Sequence, residues 1–259
     1  MTNRTISILG CGWLGKQLGE ALASSGYEVR GSTTRIENAD GLRSAGIIPL
    51  IYAVGNNIED ARSFFHTEVL IISLPQRLRA NKGEEYIQQI SQVVAEARRG
   101  GVNKIVLFST TSVYPDVNRE VHEEDADPDH PVARAERIVQ LSGIPNTIVR
   151  FAGLFGPGRE PGRFLSGKQN VPGAASPVNL IHSGDCVEIV RCIIEGNVWG
   201  HVFNACADDH PSKKDFYTKA AVAQGIAPPI FSDAAADYKI VSNAHLKSLL
   251  HYSMIHRLI

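Results

Sequence analysis

Three glycines near residue 10 stand at a spacing that suits the binding of phosphate groups. The segment "ILGCGWLGKQLGEAL" contains Gly10-x-Gly12-x-x-Gly15 directly after an apolar run and directly before a helical pattern. Such glycines allow a tight turn, a close approach of the backbone to a pyrophosphate and close packing of helix on strand, while the helix N-terminus offers unpaired N–H groups. In this context of strand, turn and helix, the motif predicts a dinucleotide-binding site.

The end of the second apolar run indicates which dinucleotide the site prefers. A site for NAD usually has Asp or Glu there to bind the ribose 2′-hydroxyl, but residues 29–35 read "VRGSTTR" and contain no acid. Ser32, Thr33 and Arg35 could instead bind a 2′-phosphate, and a charge-assisted hydrogen bond contributes about 1.5–3 kcal/mol. The sequence therefore favours NADP, with NAD as the alternative.

The elements that must position this turn follow from the alternation of short apolar runs with helical patterns. In the helical stretches, apolar residues recur at i, i+3, i+4 and i+7, as in Leu14, Leu18, Ala21 and Leu22. The runs are rich in β-branched residues and apolar on both faces, which is typical of a parallel sheet covered by helices on both sides. We therefore predict a Rossmann-type, doubly wound α/β fold. Strands are expected at residues 5–10, 27–32, 47–52, 68–74, 104–109 and 146–151.

The rhythm of strand and helix changes near residue 155. The Gly/Pro-rich segment "FGPGREPGRFLSGKQNVPGAASPVN", residues 155–179, is too long for a plain connection, which favours a binding surface. After it come strand-like runs at 178–182 and 201–207 and a helix that begins after Ser212, a suitable N-cap. We therefore divide the chain into a dinucleotide-binding domain, residues 1–153, and a small α/β substrate lobe interleaved with the sheet, residues 154–259.

Charge and composition narrow the range of partners. The chain has 259 residues and a formal net charge of -1, and its basic residues are scattered, so we expect neither a nucleic acid nor a membrane surface as a partner. The four cysteines form no CxxC pair and are expected to be reduced. The sequence shows no leader and no apolar run long enough to span a bilayer, so we expect a cytoplasmic protein.

Other motifs offer little chemistry. Residues 119–127, "REVHEEDAD", contain one histidine and several carboxylates, but no second histidine lies close by, so we expect a solvated loop and no metal site. Cys11, inside the glycine turn, is expected to be a small packed residue rather than a redox switch. The motifs of zinc proteases, serine hydrolases and P-loop NTPases are absent from the sequence.

Several dispersed motifs together resemble those of one enzyme superfamily. The segments "LFSTTSVYP" (107–115), "VRFAGLFGPGR" (149–159) and "VNLIHSGDCVEIV" (178–190), added to the glycine turn, resemble the extended short-chain dehydrogenase/reductases, in particular the NAD-dependent epimerase/dehydratase group. The segments "GCGWLG", "STTR", "ISLP" and "EPGRF" resemble an atypical bacterial branch often called YeeZ-like. The resemblance covers nearly the whole chain and implies a reductase or epimerase-like activity on a small polar or sugar-like molecule.

The resemblance also implies roles for individual positions. Thr110 stands four residues before the Tyr of "VY", where the superfamily keeps a catalytic Ser or Thr. Arg159, Arg163 and His182 would point toward the substrate, although a structural role for His182 near Asp185 is an alternative. The cofactor would contact Gly10, Gly12, Trp13, Leu14, Gly15, Ser32, Thr33 and Arg35 on its pyrophosphate and adenosine side, and Ser73, Leu74, Phe151 and Gly153 on its nicotinamide side.

The catalytic pair of the superfamily is missing from the helix after the fifth strand. The superfamily normally presents Tyr-x-x-x-Lys there, but in "PDHPVARAERIVQ" (128–140) Ala133 stands in the place of the tyrosine and Arg137 in that of the lysine. Alanine can neither donate nor accept a proton, and arginine stays protonated at any working pH. The standard acid is therefore absent.

Other side chains could replace the missing acid. Tyr114, His130 and His182 are the candidates, the histidines because imidazole titrates near neutral pH. If none of them serves, the protein would be a non-catalytic NADP(H)-binding sensor or scaffold. The resemblance further implies a homodimer formed through the helices that flank the fifth strand, with a small molecule as the other partner.

Overall fold

The computed structural model describes residues 4–55, 62–76 and 82–258. The chain divides into two compact units that alternate along the sequence. The first unit consists of Met1–Thr110, Pro128–Val149 and Val190–Val202, and the second of Thr111–Asp127, Arg150–Ile189 and Phe203–Ile259. Each unit is thus built from three segments, and the sequence-based division after residue 153 falls inside the second unit.

Short strands alternate with helices through most of the chain, as the apolar runs predict. None of the helices in the described segments is long and apolar enough to cross a bilayer. The strands are β1 (Thr5–Leu9), β2 (Glu28–Thr33), β3 (Ile47–Ile51), β4 (Val69–Ile72), β5 (Lys104–Thr110), β6 (Arg119–Val121), β7 (Asn146–Phe151), β8 (Gly153–Phe155), β9 (Leu180–His182), β10 (Val202–Ala205) and β11 (Lys239–Val241). The helices are α1 (Trp13–Ser24), α2 (Ala39–Ser44), α3 (Arg62–Phe65), α4 (Gly83–Gly100), α5 (Pro131–Gln140), α6 (Ser183–Glu195), α7 (Lys213–Ala223) and α8 (Ala244–Leu250).

Seven strands form one sheet in the order β10-β7-β5-β4-β1-β2-β3. The pairs β1 with β2, β1 with β4, β2 with β3 and β4 with β5 are all parallel. The chain proceeds from β1 to β3 in one direction and from β4 to β5 in the other, so the strand order reverses between β1 and β4. Ligands of open α/β sheets bind beyond the carboxyl ends of the strands at such a reversal. The predicted doubly wound α/β fold is confirmed.

Burial of the apolar residues explains why these elements form. Every residue of β1 and of β4 is buried, as expected for strands in the middle of a parallel sheet. Helix α1 buries Leu14, Leu18 and Leu22 on one face, which confirms the predicted amphipathic pattern. Helix α4 buries Tyr86, Ile90, Val93, Val94 and Ala97 in the same way.

The second unit contains two small parallel sheets. Strand β8 pairs with β9, with Phe155 opposite His182, and β6 pairs with β11. The predicted cap of α7 is confirmed, because the Ser212 hydroxyl accepts a hydrogen bond from the N–H of Asp215 at 3.1 Å. A small apolar cluster fills this unit and consists of Val178, Leu180, Ala207, Phe216 and Leu258.

The segment 119–127 differs from the expected solvated loop. It contains strand β6 and a 3-10 turn at Glu123–Asp125. The carboxylate of Asp125 accepts hydrogen bonds from the Arg119 guanidinium at 2.8 Å and from the backbone N–H of His122 at 2.8 Å. The expectation was wrong because the partner strand β11 lies more than 100 residues farther along the chain, where a local pattern gives no signal.

Candidate nucleotide-binding site

The three glycines of the first turn meet three different spatial requirements. Gly10 has a positive φ of +86°, and a Cβ atom there would lie 2.6 Å from the carbonyl oxygen of Ser73. A Cβ atom on Gly15 would lie 3.1 Å from the carbonyl oxygen of Gly10, so the helix packs closely on the turn. A Cβ atom on Gly12 would have no heavy atom within 4 Å. The first and third glycines are thus needed by the fold itself, whereas Gly12 borders open space.

Helix α1 begins at this open space without a side-chain cap. Its N-cap residue is the exposed Gly12, whose carbonyl oxygen accepts a hydrogen bond from the N–H of Lys16 at 2.8 Å. The first turn, which starts with Trp13 and the buried Leu14, contains no acidic residue. The first N–H groups of a helix have no partner within the helix and give its start a partial positive charge. This end of α1 therefore suits an anionic ligand such as a pyrophosphate.

Two hydroxyl groups at the end of β2 form hydrogen bonds within the protein. The buried Ser32 hydroxyl accepts a hydrogen bond from the N–H of Gly10 at 2.8 Å and so holds the glycine turn in place. The Thr33 hydroxyl accepts hydrogen bonds from the N–H of Arg35 and from the Asn38 amide, both at 3.3 Å. Their predicted contacts with a cofactor stay predictions, and the structure gives both side chains a role in shaping the loop.

Two cationic side chains border the loop after β2. Arg35 is exposed, and its guanidinium forms no hydrogen bond or ion pair with any residue that the structure describes. The ammonium of Lys16, on α1, lies 3.6 Å from the position of a Cβ atom on Gly41, which places it beside α2. By contrast, Arg43 on α2 is paired with Asp40 at 2.6 Å. A phosphate group beside this loop would therefore meet two cations that form no ion pair with the residues that the structure describes.

The residues after β4 complete this region of the first unit. The N–H of Ser73 donates to the carbonyl of Leu9 at 2.8 Å, and a Cβ atom on Gly10 would lie 3.4 Å from the Leu74 side chain. The carboxyl ends of β1 and β4 are thus adjacent where the strand order reverses. The structure therefore brings the predicted residues of the glycine turn, the β2 loop and the β4 end together.

Cys11 is packed inside the glycine turn, as the sequence predicts. Burial raises the pKa of the Cys11 thiol to about 12, and a Cβ atom on Gly31 would lie 2.9 Å from its sulfur. A thiol with so high a pKa is unreactive at neutral pH, which supports the role of a small packed residue. In the part of the chain that the structure describes, no group of three or more His, Cys, Asp and Glu side chains could hold a metal ion.

The buried ionisable side chain of α5 is one that the sequence analysis did not single out. Glu136 is 2% exposed and accepts a hydrogen bond from the hydroxyl of Ser109, which is also buried. Ala133 is half-buried and Arg137 is exposed. Thr110, the last residue of β5, is half-buried. Helix α5 thus turns a carboxyl group, not the cation of Arg137, toward the end of β5.

Helix α4 adds a second buried polar group beside Glu136. The hydroxyl of Tyr86 is buried and has no hydrogen-bond partner in the described residues. Burial and, next, the Glu136 carboxylate raise the pKa of Tyr86, while the nearby Gln76 amide lowers it. A Cβ atom on Gly83 would lie 2.7 Å from the ring of Pro131, so the two helices pack closely at their starts. The helical spacing of the apolar residues Val132, Ala135 and Val139 was the signal that Glu136 lies on the buried face.

Two of the candidate acids have structural partners. His130 is the N-cap of α5, and its Nδ1 accepts the N–H of Val132 at 3.2 Å. The Tyr114 hydroxyl donates to the Asn204 side-chain oxygen and accepts from the Arg150 guanidinium, both at 2.6 Å. Burial raises the pKa of Tyr114 to about 12. The geometry therefore favours structural roles for both side chains.

The other residues predicted to lie beside the nicotinamide, Phe151 and Gly153, and those predicted to contact the substrate belong to the second unit. Phe151 is buried at the end of β7, and Gly153 begins β8, where a Cβ atom would lie 2.6 Å from the Leu180 side chain. Arg159 and Arg163 are exposed in the Gly/Pro-rich segment. Their predicted contacts with ligands remain predictions.

His182, the third candidate acid, is part of a histidine pair. Its Nδ1 accepts the N–H of Gly184 at 3.1 Å, and its ring stacks on that of His256 with the ring centres 3.8 Å apart. Burial and, next, His256 lower the pKa of His182. The side chain of Asp185 contacts His256 at 2.9 Å. These contacts support the structural role, and no sequence motif indicates His256, which lies more than 70 residues away.

Comparison with known proteins agrees with this geometry. The family model described as the NAD dependent epimerase/dehydratase family matches residues 6–206. The Protein YeeZ of Escherichia coli (strain K12) is 33% identical over 244 residues, which cover 89% of this chain and 88% of that protein.

Solved structures share the fold. The UDP-glucuronic acid 4-epimerase of Bacillus cereus in complex with NAD superposes with a TM-score of 0.81 at 18% identity, covering 98% of this chain and 94% of that one. A putative NAD-dependent epimerase/dehydratase from Methylobacillus flagellatus gives a TM-score of 0.76 at 24% identity, with 98% and 94% covered. From the family match and the relative at 33% identity, the chain belongs to the NAD-dependent epimerase/dehydratase family.

Proposed function

We propose that this protein binds NADP(H) at the glycine turn and the β2 loop and acts as an atypical reductase or epimerase-like enzyme on a small polar or sugar-like substrate. Membership of the family supports the nicotinamide cofactor, which supplies hydride transfer when bound. Neighbours in complex with NAD and UDP-glucuronic acid or UDP-glucose support a sugar-like substrate.

The observation that carries the proposal is the combination of an uncapped helix start and an exposed arginine in the next loop. Gly12 leaves room for a pyrophosphate beside the first turn of α1. Strand β2 ends in the short buried side chains of Ser32 and Thr33 instead of an acid, and Arg35 follows. A carboxylate at this strand end would repel a 2′-phosphate, whereas a guanidinium attracts it.

The preference for NADP(H) can be tested with one substitution and a matched control. Arg35→Ala should weaken NADPH binding about tenfold to a hundredfold, because one charge-assisted contact of about 1.5–3 kcal/mol is lost, and should leave NADH binding nearly unchanged. Arg43→Ala removes a nearby arginine that is already paired with Asp40 and should change neither. Calorimetric titration of the cofactor-stripped unmodified protein and of both variants, each with NADPH and with NADH, measures these affinities. Equal affinities of the unmodified protein for NADPH and NADH would contradict the preference.

The second candidate function is that of a non-catalytic NADP(H)-binding sensor or scaffold. It is favoured by the engagement of Tyr114 and His130 in structural hydrogen bonds and by the absence of a Tyr-x-x-x-Lys pair on α5. If the protein is an enzyme, Thr110 at the end of β5 is the residue that the resemblance places nearest the reacting group. The loss of a general acid reduces a rate by about 10²–10⁴-fold, which leaves turnover measurable.

A measurement of turnover distinguishes the enzyme from the non-catalytic sensor or scaffold. We expect slow oxidation of NADPH with at least one member of a panel of small carbonyl compounds and nucleotide sugars, and a further loss of rate in Thr110→Val at unchanged NADPH affinity. Tight NADPH binding without turnover on the whole panel would support the sensor. Absence of any calorimetric signal with either reduced nucleotide would contradict both functions.

A further inference from the structure

Residues 252–258, which follow α8, are fastened to the second unit by one buried carboxylate. Asp185, in the first turn of α6, is 1% exposed. It accepts hydrogen bonds from the hydroxyl of Tyr252 at 2.7 Å, the N–H of Ile255 at 2.7 Å and the N–H of His256 at 3.1 Å. The segment has no regular secondary structure of its own. Its attachment therefore depends on these side-chain contacts more than on backbone pairing.

A pair of stacked imidazoles adjoins this carboxylate. The Nδ1 atom of His256 lies 2.9 Å from Asp185 Oδ2, and the ring of His256 stacks on that of His182 at 3.8 Å with an angle of 27° between the ring planes. A Cβ atom on Gly184 would lie 2.7 Å from the Cε1 atom of His256, so the close approach of the two rings requires glycine at that position. The stacked pair therefore depends on the absence of a side chain at Gly184.

The same pair connects the segment to the start of the Gly/Pro-rich stretch. Phe155 of β8 pairs with His182 of β9, and their rings meet edge to face with centres 5.2 Å apart. A Cβ atom on Gly156 would lie 3.3 Å from the Nε2 atom of His182. A change in the position of the His182 ring would therefore alter its contacts with Phe155 and Gly156.

Other charged groups near the segment are already paired. Arg257 binds Asp209 at 2.9 Å, which lowers the pKa of that carboxyl, and Leu258 is buried in the apolar cluster. His210, which follows Asp209, places its Nδ1 3.1 Å from the carbonyl oxygen of Val178. The charged groups that face the stacked rings are therefore Asp185 from α6 and the other imidazole, and Phe155 from β8 is neutral.

We propose that residues 252–258 form a pH-responsive latch on the second unit, which opens when His182 takes up a proton and thereby loosens the Phe155–Gly156 end of the Gly/Pro-rich segment. The Nδ1 atom of His182 accepts the N–H of Gly184, and a protonated imidazole can only donate, so the proton removes this contact beside Asp185 and disturbs the ring stack. The latch controls the order of the segment that carries Arg159 and Arg163, so it goes beyond the proposed nucleotide site.

The direction of the pH effect follows from the attached state. Burial, and next His256, lower the pKa of His182 from its ordinary value of 6.5 while the latch is closed, and Asp185 opposes this shift. The closed latch therefore binds the proton more weakly than the open one. The latch is at full strength well above pH 6.5 and weakens as the pH falls through that value. For each unit by which the pKa is lowered, opening becomes about tenfold more favourable at low pH.

Hydrogen exchange of the full chain without nucleotide tests the latch. The amides of Ile255 and His256 both donate to Asp185, so their protection factors, corrected for the intrinsic rate at each pH, report its opening. We expect protection to fall between pH 7.5 and pH 5.5, by up to about tenfold. In His182→Asn the Asn oxygen can still accept the N–H of Gly184 but cannot titrate, and protection should stay constant or rise as the pH falls.

A neighbouring histidine provides the matched control. His251 is exposed, directly precedes the latch and has a φ of 50°, a conformation that asparagine tolerates. His251→Asn should therefore keep the full pH dependence. Gly184→Ala should lower the protection at both pH values, because the ring of His256 is displaced. Protection that does not change with pH in the unmodified protein, or that changes equally in His182→Asn and His251→Asn, would overturn the proposal whether or not the protein binds NADP(H).

Discussion

Helices α1 and α5 both begin in the first unit, but α5 has a side-chain cap at its amino terminus and α1 has none. Helix α1 starts after the exposed Gly12, with no side-chain cap and with open space where a Cβ atom would stand. Helix α5 starts with Pro131, which has no N–H. The N–H of the next residue, Val132, donates to Nδ1 of His130. The first N–H groups of α1 are thus open to a ligand, whereas the start of α5 is closed, because His130 accepts an N–H there.

The two helices also differ in the side chains that they bury. The buried side chains of α1 are apolar, whereas α5 buries the carboxyl group of Glu136 against the hydroxyl of Ser109. An unpaired buried polar group destabilises a fold by about 1–3 kcal/mol, so this contact must be retained for α5 to pack. In the first unit, α1 thus offers an open helix end to the proposed nucleotide, whereas α5 uses its first turn and its buried carboxyl group for contacts within the protein.

The largest effect is expected from removing the carboxyl group of α5. Glu136→Ala leaves the Ser109 hydroxyl without its partner and opens a cavity, and should lower the free energy of unfolding by about 3 kcal/mol. Glu136→Gln keeps the volume and an acceptor oxygen and should cost about 1 kcal/mol. Glu84→Ala on the facing helix removes an exposed ion pair with Arg134 and should change stability by less than about 0.5 kcal/mol. Urea unfolding measures each difference.

An unchanged unfolding midpoint in Glu136→Ala, together with lost turnover, would contradict the packing role of Glu136. It would mean that the carboxyl group of α5 acts on the substrate or on its proton and not on packing. Loss of stability with normal NADPH binding in the fraction that stays folded would support the packing role.

The next largest effect should separate two glycines of the first turn. Gly12→Ala places a methyl group in open space, at a φ of -84°, so the fold should persist. The methyl group would obstruct a pyrophosphate, and overpacking by one methyl costs about 1–3 kcal/mol, so nucleotide affinity should fall roughly 5- to 150-fold. Gly15→Ala forces a Cβ atom to 3.1 Å from the carbonyl oxygen of Gly10 and should lower the melting temperature as well.

The control for this pair is another helical glycine of the first unit. Gly41→Ala on α2 meets its nearest atom at 3.6 Å and should leave binding unchanged while stability stays equal or rises by about 0.4–1 kcal/mol. Calorimetry and thermal unfolding of the three variants test the expectation. Normal nucleotide affinity in Gly12→Ala would show that the open end of α1 is not the phosphate site.

The features that could be predicted from the sequence are those encoded locally. All the strands expected from apolar runs are present, because a buried parallel strand shows its burial in its own residues. The conformation at Gly10 likewise follows from a short motif. The strands β6, β8 and β11 were not predicted, since each has three residues and pairs with a partner distant in sequence.

The side chains that sequence analysis missed are polar groups fixed by distant contacts. Glu136 lies among charged residues in "ARAERIVQ" and looks like a solvated residue until Ser109 and Tyr86 are found against it. His256 has no motif around it, and its partners Asp185 and His182 lie more than 70 residues away. For His256 the three-dimensional contact is itself the signal, whereas for Glu136 the spacing of the apolar residues of α5 is the one signal in the sequence.

The smallest effect concerns the closed start of α5. His130→Ala removes the acceptor for the N–H of Val132 and should lower the free energy of unfolding by about 1 kcal/mol, as for other N-caps. Asparagine is a strong N-cap, so His130→Asn should recover most of this loss. Ser212→Ala at the start of α7, where a hydroxyl caps the helix, should cost a similar amount. If His130→Ala instead weakens NADPH binding or turnover at unchanged stability, the start of α5 is a ligand site after all, and the contrast with α1 fails, because both helix ends would then serve the same chemistry.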